Sequence, residues 1–149
     1  MADDQARAAG NALRALVAQA GKALNLEATA NLIELCPHDT GHARANFVPS
    51  VGEPSTQVVD GVARTAQDAG IAAVLSYKLG DGPLYVTNHV PYLAWLIGGS
   101  SSQRPAGWDL LAIALAVQAI QAQYDGLRID VHEGTQGPVV AFRASGEGG

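Results

Sequence analysis

The stretch CPHDTGHARANF, Cys36 to Phe47, packs a thiol, two imidazoles, a carboxylate, a hydroxyl and a guanidinium into twelve residues. Three kinds of chemistry use such groups. The first is metal binding. His38 and His42 are four apart, which on a helix would set both rings on one face, with Cys36 as a third ligand. Pro37 and Gly41 interrupt such a helix, however, and no Glu follows His38 as a zincin motif requires. The second is nucleophilic catalysis by Cys36. It needs a thiolate and a base, His38 or His89, within hydrogen-bond reach. Cys36 follows the apolar run LIEL, which favours a small buried hydrophobe closing a helix. The third is structural. Pro37 stops a helix, Asp39 and Thr40 satisfy turn amides, and Gly41 permits a positive φ. Arg44 then binds back to Asp39 or to helix-end carbonyls, and the segment becomes a hydrogen-bonded corner that turns a helix into a strand.

Elsewhere the chain carries little catalytic signal. It has no Gly-x-Ser-x-Gly, no Walker-type phosphate loop and no obvious carboxylate pair. No metal or cofactor is expected, and the chain reads as a non-enzyme. The formal net charge is −5, and two Lys and seven Arg are scattered along the sequence. A sequence-independent nucleic-acid binder needs clustered cations, so that class is disfavoured. A single Cys cannot form an internal disulfide, which suits a reducing cytosol. No signal peptide is expected, and the longest apolar run, LLAIALAV, is far too short to cross a bilayer. Charged residues make up only 15% of the chain. So little charge hints at surfaces covered by neighbouring subunits.

The elements that must position the corner are legible in part. Residues 3–24 read as helix, with Leu13, Leu16, Val17 and Leu24 at helical spacing. Residues 25–36 continue helically to Pro37, so we expect one long helix broken near Gly21, or two with Asn25 as a cap. ARANFVPSVG reads as extended, with Ala45, Phe47 and Pro49 on one face and Asn46, Val48 and Ser50 on the other. EPSTQVVDGVARTAQDAG reads as a long surface loop, IAAVLSYKLG as a helix stopping at Gly80, and LYVTN as a short strand. VPYLAWLIGG reads as a short helix with Pro91 at its start. WDLLAIALAVQAIQAQYD is the clearest helix. Leu111, Ile113, Leu115 and Ile120 form its apolar stripe, and Gln118, Gln121 and Asp125 its polar side. LRIDVHE and PVVAFRA around GTQG predict a β-hairpin, and SGEGG a flexible tail from about residue 145. The expected architecture is one α+β domain over residues 1–149. In it a small, mostly antiparallel sheet packs with an N-terminal helix or helix pair and a long helix in the C-terminal half.

Two blocks also carry a resemblance. CPHDTGHARANF is similar to the Pro-Val-Asp-Thr-Gly-x-Ala-Arg-x-Asn-Trp signature of tailed-phage neck and tail-completion proteins, which join head to tail. LYVTNHVPYLAWLIGGSSSQRPAGW resembles that family's tyrosine-containing strand, then Asn-Asn-x-Pro-Tyr-Ala, then Leu-Glu-x-Gly-x-Ser-x-Gln-Ala-Pro-Gly. The matching motif positions are Pro37, Asp39, Thr40, Gly41, Arg44, Asn46, Asn88, Pro91 and Tyr92. The chain departs where His38 replaces Val, Phe47 replaces Trp, Ile97 stands for Glu and Arg104 for Ala.

The resemblance implies a structural virion protein of a tailed bacteriophage, synthesised in the host bacterial cytoplasm. It implies a homo-oligomeric, hexameric ring at the head-proximal end of the tail. The ring's partners would be the adjacent neck proteins (head completion or stopper) and the tail terminator or tail tube protein. DNA would pass through the lumen without specific binding, which suits a negative chain. The alternatives are a tail terminator capping the tail tube, or a small cytosolic Cys/His enzyme or metal-binding domain. The loop from Gly98 to Gly107 is the expected partner-binding segment, through Ser100, Ser102, Gln103 and Arg104, because loops on rigid scaffolds carry function.

Overall fold

In a computed structural model, residues 2–37, 41–99, 104–134 and 137–144 are described. Helix α1 runs unbroken over Ala2–Leu35. The expected break at Gly21 is not there. A Cβ at that position would meet only the Leu84 side chain, at an ordinary 3.6 Å, and Gly costs a helix only about 1 kcal/mol. The buried residues of α1 are Ala20, Leu24, Asn25, Thr29 and Leu32, so its second half holds the fold together. Residues 2–15 are exposed on every side, an arm of roughly 20 Å at 1.5 Å per residue.

The corner opens into a single turn of helix, α2 (His42–Ala45), and then strand β1 (Val48–Val51). The expected extended run therefore starts later than the alternation suggests. Phe47, Val48 and Pro49 are all buried, so β1 is covered on both faces and its side chains cannot show a polar alternation. The expected surface loop ends early too. From Thr65 the chain forms α3 (Thr65–Leu75), which buries Gln67, Gly70 and Val74 at helical spacing. This face is a Gln, a Gly and a Val, and hydrophobic periodicity does not register it. The helix expected to reach Gly80 stops at Leu75. Strand β2 (Leu84–Thr87) pairs antiparallel with β1, Val48 opposite Thr87 and Val51 opposite Leu84.

After a turn in which the Leu93 N–H donates to Val90 O, with Pro91 second, α4 spans Leu93–Ile97. Helix α5 spans Trp108–Gln123 and lies along α1. Its buried stripe is Trp108, Ala112, Ala116 and Ile120. The two alanines let the helix backbones approach closely. The expected Leu111–Leu115 side faces outward instead, because small residues make the better helix–helix seam here. Strands β3 (Leu127–Gly134) and β4 (Gly137–Ala144) form the expected antiparallel hairpin, Leu127 opposite Ala144 and Gly134 opposite Gly137. The fold is α+β with two separate two-stranded antiparallel sheets.

Two clusters form the core. One gathers Leu32, Cys36, Ala43, Phe47, Leu96 and Trp108 beside the corner. The Phe47 and Trp108 rings meet edge to face, centroids 6.2 Å apart, the geometry their quadrupoles favour. The other gathers Ala20, Leu24, Ala116, Ile120, Leu127 and Ile129 beneath the hairpin. No helix among the described residues is long and apolar enough to cross a membrane.

Candidate functional site

The end of α1 has no basic residue in its last turn, yet its final carbonyls need donors. Two arginines from outside the helix supply them. Arg44 donates from Nε to Ile33 O at 2.7 Å and from Nη2 to Glu34 O at 3.2 Å. Arg104 donates from Nε to Leu35 O at 3.1 Å. Both cations stand at the negative pole of the helix dipole. Of the two roles expected for Arg44, it fills the one toward helix-end carbonyls; the other, toward Asp39, lies outside the described residues. Arg104, expected to reach a partner, donates within the chain, and so the later part of its loop is tied to the end of α1.

Gly41 has φ +76°, the left-handed value expected of it, and a Cβ there would also press on the Val62 side chain at 3.1 Å. Asn46 is fully buried and acts as a hub. Its Nδ2 donates to His42 O at 2.9 Å and Val59 O at 3.2 Å, and its Oδ1 accepts from the Val59 N–H at 2.7 Å. Gln67, also buried, donates to Arg44 O and Phe47 O at 2.9 and 3.1 Å. Asn88 donates to Ala43 O at 2.8 Å and accepts from the Val90 N–H at 3.1 Å. His42 Nδ1 lies 2.6 Å from Gly61 O. A carbonyl can only accept, so this contact puts the ring proton on Nδ1.

Tyr92 lies beside His42, ring centroids 6.1 Å apart. With Pro37, Gly41, Trp95 and Leu96 the two rings border a shallow cavity of about 400 Å³. Trp95 is 60% exposed at its rim. Pro91 is exposed. Asp39, Thr40, Ser100, Ser102 and Gln103, and with them His38, lie outside the described residues.

Cys36 is buried and donates to Pro37 O at 3.4 Å. Burial pushes its thiol up to about 11, against a smaller opposing pull from Arg44. A thiol so held is protonated at neutral pH and is a poor nucleophile. His89 is exposed, and no hydrogen bond joins it to Cys36 among the described residues. No group of three or more metal-ligating side chains occurs among the described residues.

The sequence reading missed Gln67 and Gln121. The Gln121 side chain donates to Leu127 O at 2.5 Å and to Tyr124 O at 3.2 Å, and accepts from the Ile129 N–H at 3.1 Å. The visible signal was a polar carboxamide recurring inside otherwise apolar helices. No protein-family model matches this chain, and neither does any curated protein or solved structure.

Proposed function

We propose that this chain is a structural, non-enzymatic subunit of a tailed-phage particle. It forms a ring at the head-proximal end of the tail and joins tail to head. The observation that carries the reading is the bond from Asn88 Nδ2 to Ala43 O. It ties together two sequence blocks that resemble one family's paired signatures, and the Arg44 and Arg104 caps tie them again at a single helix end. Residues that recur as a pair for architectural reasons belong in such a bonded corner. Reactive groups kept for chemistry would sit together on an accessible surface, whereas Cys36 is buried and protonated.

A further observation supports an assembling subunit. Tyr92, Trp95, Leu110, Leu111 and Leu115 are large apolar side chains left exposed on or beside α4 and α5, the kind of surface that a partner covers.

The test is disruption of the gene in the particle-producing host. Tailless heads and free tails are expected, with joining restored by the protein supplied in trans. Antibody labelling of intact particles should mark the neck. Normal particles from the disrupted strain overturn the reading. Free tails of uncontrolled length would favour the tail-terminator alternative.

A further inference from the structure

The Gln121 contact exposes a property of the hairpin that is independent of the ring reading. The Gln121 carboxamide, reaching from α5, accepts from Ile129 N–H and donates to Leu127 O. It therefore binds β3 in the manner of a neighbouring strand's peptide group. On an antiparallel strand, the residues alternate in which side their backbone groups face. Leu127 and Ile129 face away from β4, and so must Val131. Ile129 O, Val131 N–H and Val131 O continue the same outer edge, and no hydrogen bond to them is present among the described residues.

Beside this edge runs a groove of about 630 Å³, walled by Ile129 and Val131 on β3 and by Ile113, Ala114, Val117 and Gln121 on α5. Burial along the inward face of β3 falls from Leu127 at 0% exposed through Ile129 at 9% to Val131 at 45%. The apolar face of the hairpin thus runs out over the open groove where Gln121 stops.

We infer that the outer edge of β3 and the adjoining α5 groove form a strand-addition site for an extended, apolar-alternating peptide segment of another protein. Only an extended backbone supplies donors and acceptors at the spacing of Ile129 O, Val131 N–H and Val131 O. Alternate side chains of that segment drop onto Ile113, Ala114 and Val117, the arrangement in which backbone bonds give affinity and the groove gives selectivity. Gln121 marks the end of the slot by occupying the last edge position itself. The occupant is a single strand from a tail or loop. The hairpin of a second copy would bring another strand on its far side, where α5 borders the groove. The SGEGG segment that follows β4 carries no apolar side chain to fill it.

The test uses the full chain and a fluorescein-labelled, capped heptapeptide, Thr-Val-Lys-Val-Lys-Val-Thr, with a backbone N-methylated version as control. Saturable binding is expected for the first and not the second. The Val131 amide should shift in the nitrogen–proton spectrum and its hydrogen exchange should slow. Val131→Pro removes an outward N–H without removing a bond to β4, so the hairpin persists and binding falls by about tenfold or more. Ala114→Trp fills the groove and should abolish binding, while Val131→Thr retains it. The inference is overturned by absence of binding at millimolar peptide, by equal binding of the N-methylated control, or by undiminished binding to a folded Val131→Pro. Shifts at the Val131 amide that follow protein concentration without peptide would assign the edge to a second copy and overturn it too.

Discussion

Arg44 and Arg104 donate to consecutive carbonyl oxygens at one helix end, Arg44 to Ile33 and Glu34 and Arg104 to Leu35. The work is unequal. Arg44 is half-buried and forks across two acceptors, whereas Arg104 is exposed and makes one bond. Arg44→Ala is expected to destabilise by about 2 kcal/mol, in the range for hydrogen bonds to charged groups, and Arg104→Ala by less than about 1. Arg44→Lys should recover little, because an ammonium lacks the planar fork. Urea unfolding of the three variants checks the order.

Asn46 satisfies three backbone groups from a fully buried position. Asn46→Ala leaves those groups unpaired in the interior and should cost about 2–3 kcal/mol. Asn46→Asp should cost at least as much, since its carboxylate would face the His42 and Val59 carbonyl oxygens that Nδ2 now serves. Thermal unfolding at neutral pH checks it, with a fall of roughly 4–10 °C expected for either variant.

Two glycines on helices separate backbone approach from helix propensity. A Cβ at Gly70 would stand 2.1 Å from Pro49 O, a backbone atom that cannot swing aside. Gly70→Ala should therefore destabilise by about 2 kcal/mol, although Ala is the better helix former. At Gly10 an added Cβ meets nothing within 4 Å. Gly10→Ala should increase helical ellipticity and leave the denaturation midpoint unchanged, because the arm buries nothing that global unfolding exposes.

Cys36 should be silent to iodoacetamide at pH 8 in the native protein and alkylated promptly in denaturant. Its raised pKa also has a thermodynamic signature. The unfolded thiol titrates near its ordinary 9.0 and the folded one near about 11, so between these values the unfolded chain has released a proton that the folded chain keeps. Stability linked to this group is fully present below pH 9 and is lost as pH rises through 11. Cys36→Ala should be less stable than the parent at pH 8, through the lost sulfur contacts, and that gap should narrow by pH 10.5. A gap constant with pH refutes the assignment.

Much of the architecture was legible because it rests on signals written locally. Pro37 and Gly41 mark the corner, the alternation of 127–144 marks the hairpin, and WDLLAIALAV marks α5. The failures share a physical cause. Helix α3 buries Gln67, Gly70 and Val74, and α5 buries Ala112 and Ala116 while turning Leu111 and Leu115 outward. In α3 a glycine and a buried carboxamide, and in α5 two alanines, stand in place of hydrophobic bulk, and a reading keyed to large apolar residues points to the wrong face. The Gln121 contact with β3 was invisible for a further reason. It depends on how a helix and a strand lie side by side, which no spacing within either element encodes.

The seams of this molecule are largely neutral dipoles. Asn25 donates to Tyr85 O, Asn31 to Ala112 O, and Asn46, Gln67, Asn88 and Gln121 to backbone groups of other segments. Mobile ions screen charges but gain little purchase on amide-to-carbonyl bonds. The folded chain should thus hold much the same shape from dilute buffer to molar salt. Apart from the Arg44 and Arg104 caps at the α1 dipole, a response of the protein to ionic strength then belongs to what it meets and not to how it is built.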